Sequence, residues 1–260
     1  MPDWNILLLK LVATPTLILL ASLAGRRWGE SVGGWFVGLP LTSGPVVFFL
    51  AIEQGTGFAA ATTRGSLAGV AAEAGFCLAY GLAARISRWP GAIAAGSLAF
   101  ALAATILAAA RLAVLPLVTL AIAALALSLA LLPRFESDTA ALPAPPFWDL
   151  PARMAVATVL VLGLTELAPY AGPLLSGLFA TYPAFAAVLT AFAHARSGPA
   201  AAMRVLRGLM IGSFAGFFIV LGATIQPLGT GPGFAAGGLL AVLVQGCSLW
   251  LLRRPRHPRR

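Results

Sequence analysis

Long apolar runs separated by short polar stretches follow one another along the whole chain. A run of about 20 apolar residues is long enough to cross a bilayer as an α-helix. The pattern predicts nine spans, over residues 5–23, 33–52, 58–83, 91–110, 112–132, 154–167, 172–193, 200–225 and 233–252. The break between the fourth and fifth runs rests on Arg111, and without it the chain has eight spans. The predicted fold is an all-α integral membrane protein.

Composition agrees with this class, because only 10% of the 260 residues are charged and 60% are hydrophobic. A soluble globular protein has about 25% charged residues. The 17 Lys and Arg residues outnumber the 8 acidic ones, and the arginines concentrate in alternate loops and at the C-terminus. This distribution predicts an inner-membrane protein with its N-terminus outside and its C-terminus in the cytoplasm. The basic excess then serves topology and the lipid bilayer, and no nucleic-acid partner is expected.

Two stretches of the chain resemble each other at a fixed offset. The stretch from Glu53 and the stretch from His194, 141 residues later, share glycine, alanine and phenylalanine positions in order. An odd number of predicted spans separates the copies, so the second copy is expected upside down relative to the first. The predicted organisation is a first membrane repeat with an extra span in residues 1–132, a polar proline-rich connector in 133–150, a second, inverted repeat in 151–252 and a basic tail in 253–260.

Helix-breaking residues interrupt the second and seventh predicted spans at matching places, in "GLPLTSGP" and "GLFATYP". Proline removes a helical hydrogen bond, and lipid cannot satisfy the freed backbone groups, so each break must face protein or a water-filled cavity. Paired interruptions of this kind indicate the binding site of a transporter, although kinks that serve packing are the alternative. A helix restarting at Pro45 or Pro183 would favour an anionic group. The predicted substrate-binding residues are Pro40, Thr42, Ser43, Gly44, Pro45, Thr181, Tyr182 and Pro183.

Residues 177–186, "GLFATYPAFA", resemble the Gly-Leu-…-Phe-Pro-Thr-Phe-Ala segment of the GlpM-type small inner-membrane proteins. Both halves of the chain are similar to the tandem members of that group. Tyr182 stands where the family has Phe, and Ala184 stands where it has Thr. The resemblance implies a duplicated membrane module, and it implies no particular chemistry or substrate.

Ionisable residues at membrane depth are costly and are candidates for function. Glu73 lies in the middle of the third predicted span and is a candidate for proton coupling, with a structural ion pair to Arg64 or Arg111 as the alternative. Glu53 and His194 occupy matching span ends and are further candidates for proton coupling, with simple solvation as the alternative.

Other polar and small residues of the spans have simpler expected roles. Arg64 and Arg207 could attract an anionic solute, and Lys10 is expected to extend to the interface. Small-residue faces predict close helix packing on the third and eighth spans, at Gly65, Gly69, Gly208, Gly212 and Gly216.

Enzyme motifs, metal-ligand clusters and cofactor fingerprints are not found in the sequence, so no enzyme, metal or cofactor is expected. The predicted function is secondary transport of a small solute by alternating access, with an anionic solute and proton coupling as options. A flippase for a lipid or lipid-linked precursor and a non-catalytic scaffold or accessory subunit are the alternatives. Assembly into a homo-oligomer is an open option.

Overall fold

The computed structural model describes residues 4–28, 39–135, 147–211 and 214–253, and this part of the chain contains only helices and short connections. The residues before the first break, the middle of the connector and the basic tail lie outside it. The helices are α1 (Trp4–Trp28), α2 (Ser43–Glu53), α3 (Thr56–Ala83), α4 (Trp89–Ala110), α5 (Val114–Leu131), α6 (Asp149–Ala180), α7 (Ala184–Met210), α8 (Phe214–Leu228) and α9 (Thr230–Arg253).

Six stretches within the described residues are long and apolar enough to cross a membrane, and they indicate a membrane protein. They comprise α3, α4, α5, α6, the run Ala186–Leu228 through α7 and α8, and Thr230–Cys247 of α9. Helix α2 has 11 residues, too few to cross a bilayer of about 30 Å by itself. Many large apolar side chains on α1, α4, α5 and α9 are exposed, as lipid-facing surfaces require.

Helix α3 is the centre of the packing. In its most apolar window 72% of the residues are buried, whereas the corresponding fraction is 22% for α4 and 17% for α5. It packs against α4, α5, α6 and α8, while α1 packs on α6 and α9 packs on α8. Small residues make this position possible: a Cβ atom on Gly65 would lie 2.0 Å from the carbonyl oxygen of Leu174. The close packing predicted for Gly65 and Gly69 is confirmed on this helix.

Helix boundaries follow glycine more closely than the apolar runs do. Helices α6 and α7 are each interrupted by a glycine with φ +78°, at Gly172 and Gly198, a backbone conformation almost restricted to glycine. The predicted seventh span therefore corresponds to the end of α6 and the start of α7, separated at residues 181–183. The predicted eighth span is divided between α7 and α8, and residues 212–213 lie outside the described chain. Arg111, with φ +46°, separates α4 from α5, so the break between these helices is present.

Matching helix pairs in the two halves make the same contact. Phe76 of α3 lies against Gly96 of α4, where a Cβ atom would be 2.9 Å from its ring. Phe217 of α8 lies against Gly237 of α9, where a Cβ atom would be 3.1 Å from its ring. Both residues of the second pair follow those of the first by 141 positions. The sequence similarity thus extends to equivalent packing.

A second set of contacts is reciprocal between the halves. Gly81, near the end of α3, faces Met203 of α7, and Gly222 of α8 faces Thr63, near the start of α3. Gly222 follows Gly81 by 141 positions. Met203 follows Thr62, the residue next to Thr63, by the same number of positions. The end of each segment therefore lies beside the start of its counterpart.

Candidate functional site

The two breaks meet at one small cavity. Its volume is about 20 Å³, above the roughly 10–15 Å³ that one water molecule requires. The first break, between residues 39 and 43, forms one wall, and the second break, between Thr181 and Pro183, forms another. The lining residues are Leu39, Leu41, Thr42, Ser43, Glu73, Thr181, Tyr182, Pro183, Ala186 and Leu209. The structure thus brings together residues from the two breaks and the buried acid of α3.

The first break is a turn that leads into α2. The N–H of Gly44 donates to the carbonyl of Pro40 at 2.8 Å, and the N–H of Val46 donates to the carbonyl of Thr42 at 3.3 Å. The helix begins at Ser43, two residues before the proline at which the sequence analysis placed the restart. Because Pro45 has no N–H, it cannot donate to the carbonyl of Leu41, which is the fourth residue before it.

The second break leads into α7 by a tighter turn. The N–H of Ala184 donates to the carbonyl of Tyr182 at 2.7 Å, and the N–H of Ala187 donates to the carbonyl of Pro183 at 2.6 Å. Pro183 is the residue before the helix and not its first residue. Backbone carbonyls therefore occupy two of the N–H groups that were expected to face a ligand at the helix starts, those of Gly44 and Ala184.

Two buried polar atoms at the cavity have no hydrogen-bonding partner among the described residues. They are Oγ of Ser43, a residue with no exposed surface, and Oε1 of Glu73, a residue that is 2% exposed. An unsatisfied buried polar atom costs about 1–3 kcal/mol, so native proteins rarely contain one without a bound water, ion or ligand. The pair makes this cavity the strongest candidate for a binding site in the described chain.

Two further polar side chains at the cavity, those of Thr181 and Tyr182, make hydrogen bonds within the protein. The hydroxyl of Thr181 donates to the carbonyl of Leu178 at 2.8 Å, and its lone pairs stay available to a ligand. The hydroxyl of Tyr182 lies 2.8 Å from Oγ of Ser97 on α4. The ring of Tyr182 makes edge contacts with Phe76 and Phe100, which hold it in place.

Glu53 lies away from the cavity, in an ion pair with the buried Lys10. Its Oε1 is 2.5 Å from Nζ of Lys10, whose side chain is 2% exposed. Nζ of Lys10 also donates to the hydroxyl of Thr165 on α6 at 2.8 Å and lies 5.8 Å from the centre of the Phe49 ring. The expectation that Lys10 extends to the interface was wrong, because Glu53 and Thr165 supply partners for its charge inside the protein. This pair connects the end of α2 to α1 and α6.

His194, at the place that matches Glu53, also contacts another helix. Its Nδ1 lies 3.2 Å from the hydroxyl of Tyr80 on α3, and the two rings are in edge contact. Neither His194 nor Tyr80 is among the residues that line the cavity. The two span ends thus have different partners, an ammonium for Glu53 and a phenol for His194.

The two arginines proposed to attract an anion point elsewhere. Arg64 donates through Nε to the carbonyl of Leu112 at 2.7 Å and through Nη2 to the carbonyl of Arg111 at 2.6 Å. Arg207 donates through Nη2 to the carbonyl of Pro133 at 3.4 Å. These carbonyls lie in the connections before and after α5. The structure therefore does not show the alternative ion pair between Arg64 and Glu73.

Sequence reasoning missed Lys10 as the partner of Glu53, Tyr80 as the partner of His194 and Ser97 as the partner of Tyr182. A lysine in an apolar run was the one signal that could have indicated a buried acid nearby. No protein-family model, curated protein or solved structure matches the chain. The resemblance to the GlpM-type proteins therefore stays a prediction.

Proposed function

We propose that the protein is a secondary transporter of a small solute, with its site at the cavity between the two breaks. The observation that carries the proposal is that two interrupted segments, far apart in sequence, line one cavity together with a buried acid. Transporters place their sites where broken helices of two repeats meet near the middle of the bilayer. Glu73 is the coupling residue in this proposal, because an acid at membrane depth can exchange a proton during the cycle.

The proposal includes an inverted repeat with nine spans, an N-terminus outside and a C-terminus in the cytoplasm of an inner membrane. The equivalent contacts of Phe76 with Gly96 and Phe217 with Gly237 support the repeat. The reciprocal contacts of Gly81 and Gly222 support the inversion, because segments related by an axis along the membrane normal would run parallel. Exchange of the two repeat conformations would then open the cavity to one side and afterwards to the other.

The cavity has room for one water, so a larger solute requires the two breaks to move apart. Alternating access provides this movement, because the half-helices α2 and α7 each lie between a break and a glycine junction. Gly55, with φ +87°, ends the α2 segment, and Gly198, with φ +78°, interrupts α7. Arg64 and Arg207 lend no support to an anionic solute at this cavity, because neither of them lines it.

A ligand-stabilisation screen tests the proposal. The purified protein is heated with a panel of metabolites, and wild type is compared with Ser43→Ala and Glu73→Gln. A ligand at 100 times its dissociation constant that binds only the folded state adds about 2.7 kcal/mol. We expect a metabolite that stabilises wild type and has a much smaller effect on Ser43→Ala.

Two variants outside the cavity serve as matched controls in the screen. Ser128→Ala changes a buried serine on α5, and Glu166→Gln changes an exposed acid on α6. Both should respond to the metabolite as wild type does. Stabilisation by lipids alone would favour the flippase instead. No stabilisation by either class would contradict transport and favour the scaffold.

A further inference from the structure

We infer that the cavity between the breaks is a site for one monovalent cation, which competes with a proton for the carboxylate of Glu73. The inference deepens the proposed function, on which it rests, by naming the coupling ion of the same site. The residues that line the cavity carry a net negative charge when Glu73 is ionised. Of the described residues that line the cavity, Glu73 is the only one with a formal charge, and none is basic.

A buried carboxylate without a positive partner is strongly unfavourable. Glu73 is 2% exposed, and its Oε1 has no partner in the described chain. Neither Arg64 nor Arg207 lines the cavity, and Arg64 donates to carbonyl groups before α5. Lys10 is paired with Glu53. The charge of Glu73 must therefore be balanced by its own proton or by a cation that enters the cavity.

Two further titratable side chains flank Glu73, and both are neutral in their ordinary forms. They are Cys77, one helical turn along α3, and Tyr182 of the second break, whose hydroxyl is bonded to Ser97. His194 lies beside Tyr80, and Tyr80 is about two helical turns from Glu73 along α3. None of these groups supplies a permanent positive charge at the cavity.

The donor atoms and the volume fit a small hard cation. Ser43 supplies a buried hydroxyl oxygen without a partner, and Glu73 supplies a carboxylate oxygen. Leu41 also lines the cavity, and its carbonyl lacks the helical donor that a residue other than Pro45 would provide. Oxygen ligands of these kinds suit hard cations, and unwound carbonyls bind Na⁺ in transporters with broken helices. A volume of about 20 Å³ admits one water-sized species.

Few N–H groups are free at the start of α2. A helix N-terminus binds anions through its free N–H groups. The N–H groups of Gly44 and Val46 in α2 already donate to carbonyls, and Pro45 has none. In α7 the N–H of Ala184 also donates to a carbonyl. Pro45 thus removes one N–H donor from the start of α2 and leaves the carbonyl of Leu41 as an acceptor.

Thermal unfolding of the purified full-length protein tests the inference without any solute. Wild type is compared in NaCl, KCl and choline chloride at equal ionic strength, at several pH values. We expect Na⁺ to stabilise the protein relative to choline, which is too large for the cavity. At 100 times its dissociation constant, Na⁺ would raise the ratio of folded to unfolded protein about 100-fold. In the pH range in which Glu73 binds a proton, lowering the pH by one unit should weaken the apparent Na⁺ affinity by up to tenfold.

Variants separate a specific site from a general salt effect. Glu73→Gln should abolish the difference between Na⁺ and choline, Ser43→Ala should reduce it, and Glu166→Gln should retain it. Infrared spectra of wild type provide a measurement that needs no variant, because Na⁺ at constant pH should convert a protonated carboxyl band to a carboxylate band. Equal stability in all three salts at every pH, with no change in the carboxyl band, would overturn the inference.

The two proposals fail in different ways. A metabolite that stabilises the protein equally in sodium and choline salts would leave transport standing and overturn the cation site. Stabilisation by Na⁺ with no response to any metabolite or lipid would support the cation site and count against solute transport. Equal stabilisation by KCl and NaCl would support a monovalent-cation site without preference for Na⁺.

Discussion

The close approach of α3 and α6 gives a quantitative prediction at Gly177. A Cβ atom at this position would lie 2.0 Å from the carbonyl oxygen of Thr62 and 2.8 Å from the nitrogen of Ser66. Real Cβ contacts are essentially never closer than 3.0 Å, so in Gly177→Ala the helices must separate by about 1 Å. The atoms in the way belong to backbone, which cannot turn aside. The hydrogen bond from Oγ of Ser66 to the carbonyl of Gly177, at 3.3 Å, would also lengthen.

The size of the effect follows from the packing that is lost. A gap of about 0.5–1 Å forfeits a quarter to a half of the dispersion energy of each affected contact. Overpacked sites commonly cost about 1–3 kcal/mol, and the backbone clash places Gly177→Ala at the upper end. The better helix propensity of alanine returns up to about 1 kcal/mol. We therefore expect a net loss of about 2 kcal/mol in the free energy of unfolding.

Gly163→Ala, on the same helix, is the matched control. No heavy atom lies within 4 Å of a Cβ atom at Gly163, so alanine should be neutral or stabilising by up to about 1 kcal/mol there. The measurement is the folded fraction of each variant in mixed micelles with increasing SDS. If Gly177→Ala unfolds at the same SDS fraction as Gly163→Ala, the proposed contact between α3 and α6 is wrong.

Three further predictions use the same unfolding measurement. Lys10→Met should cost about 3 kcal/mol because it leaves the Glu53 carboxylate without its partner, and adding Glu53→Gln should recover part of the loss. Losses that simply add in the double variant would contradict the ion pair. Arg64→Lys should cost about 1 kcal/mol, since lysine cannot donate to two carbonyls as the guanidinium does, whereas Arg204→Lys at an exposed position should be neutral. Gly198→Ala should cost about 1–3 kcal/mol through its φ of +78° alone, because a Cβ atom there meets nothing within 4 Å, and unchanged stability would show that the junction is not in this conformation.

Features that depend on local sequence were predictable. The apolar runs indicated a helical membrane protein, because a chain with 10% charged residues cannot cover itself with polar surface. The prolines of the two breaks marked interruptions, since the missing N–H is a property of the residue itself. The small residues around Gly65 and Gly69 indicated close packing without showing which helix approaches. The helix ends were less predictable, because glycine junctions such as Gly172 interrupt helices inside apolar sequence.

Tertiary structure decided which polar groups meet. The sequence offered Arg64 as a partner for Glu73, but the approach of α5 to α3 provides carbonyl groups that bind the guanidinium instead. The sequence treated Lys10 as interfacial, but the packing of α1 on α6 and the position of α2 bury it beside Glu53. Such partners lie tens of residues apart, and hydropathy carries no information about distance in space.

The candidate site was also predictable only in part. The sequence by itself showed two interruptions and one acid, Glu73, inside long apolar runs, because each is visible in a short window of residues. Only the tertiary structure placed Ser43, Glu73 and Thr181 around one cavity and fixed its volume at about 20 Å³. The volume depends on how closely α3, α6 and α7 approach, and that distance is set by packing among residues far apart in the chain.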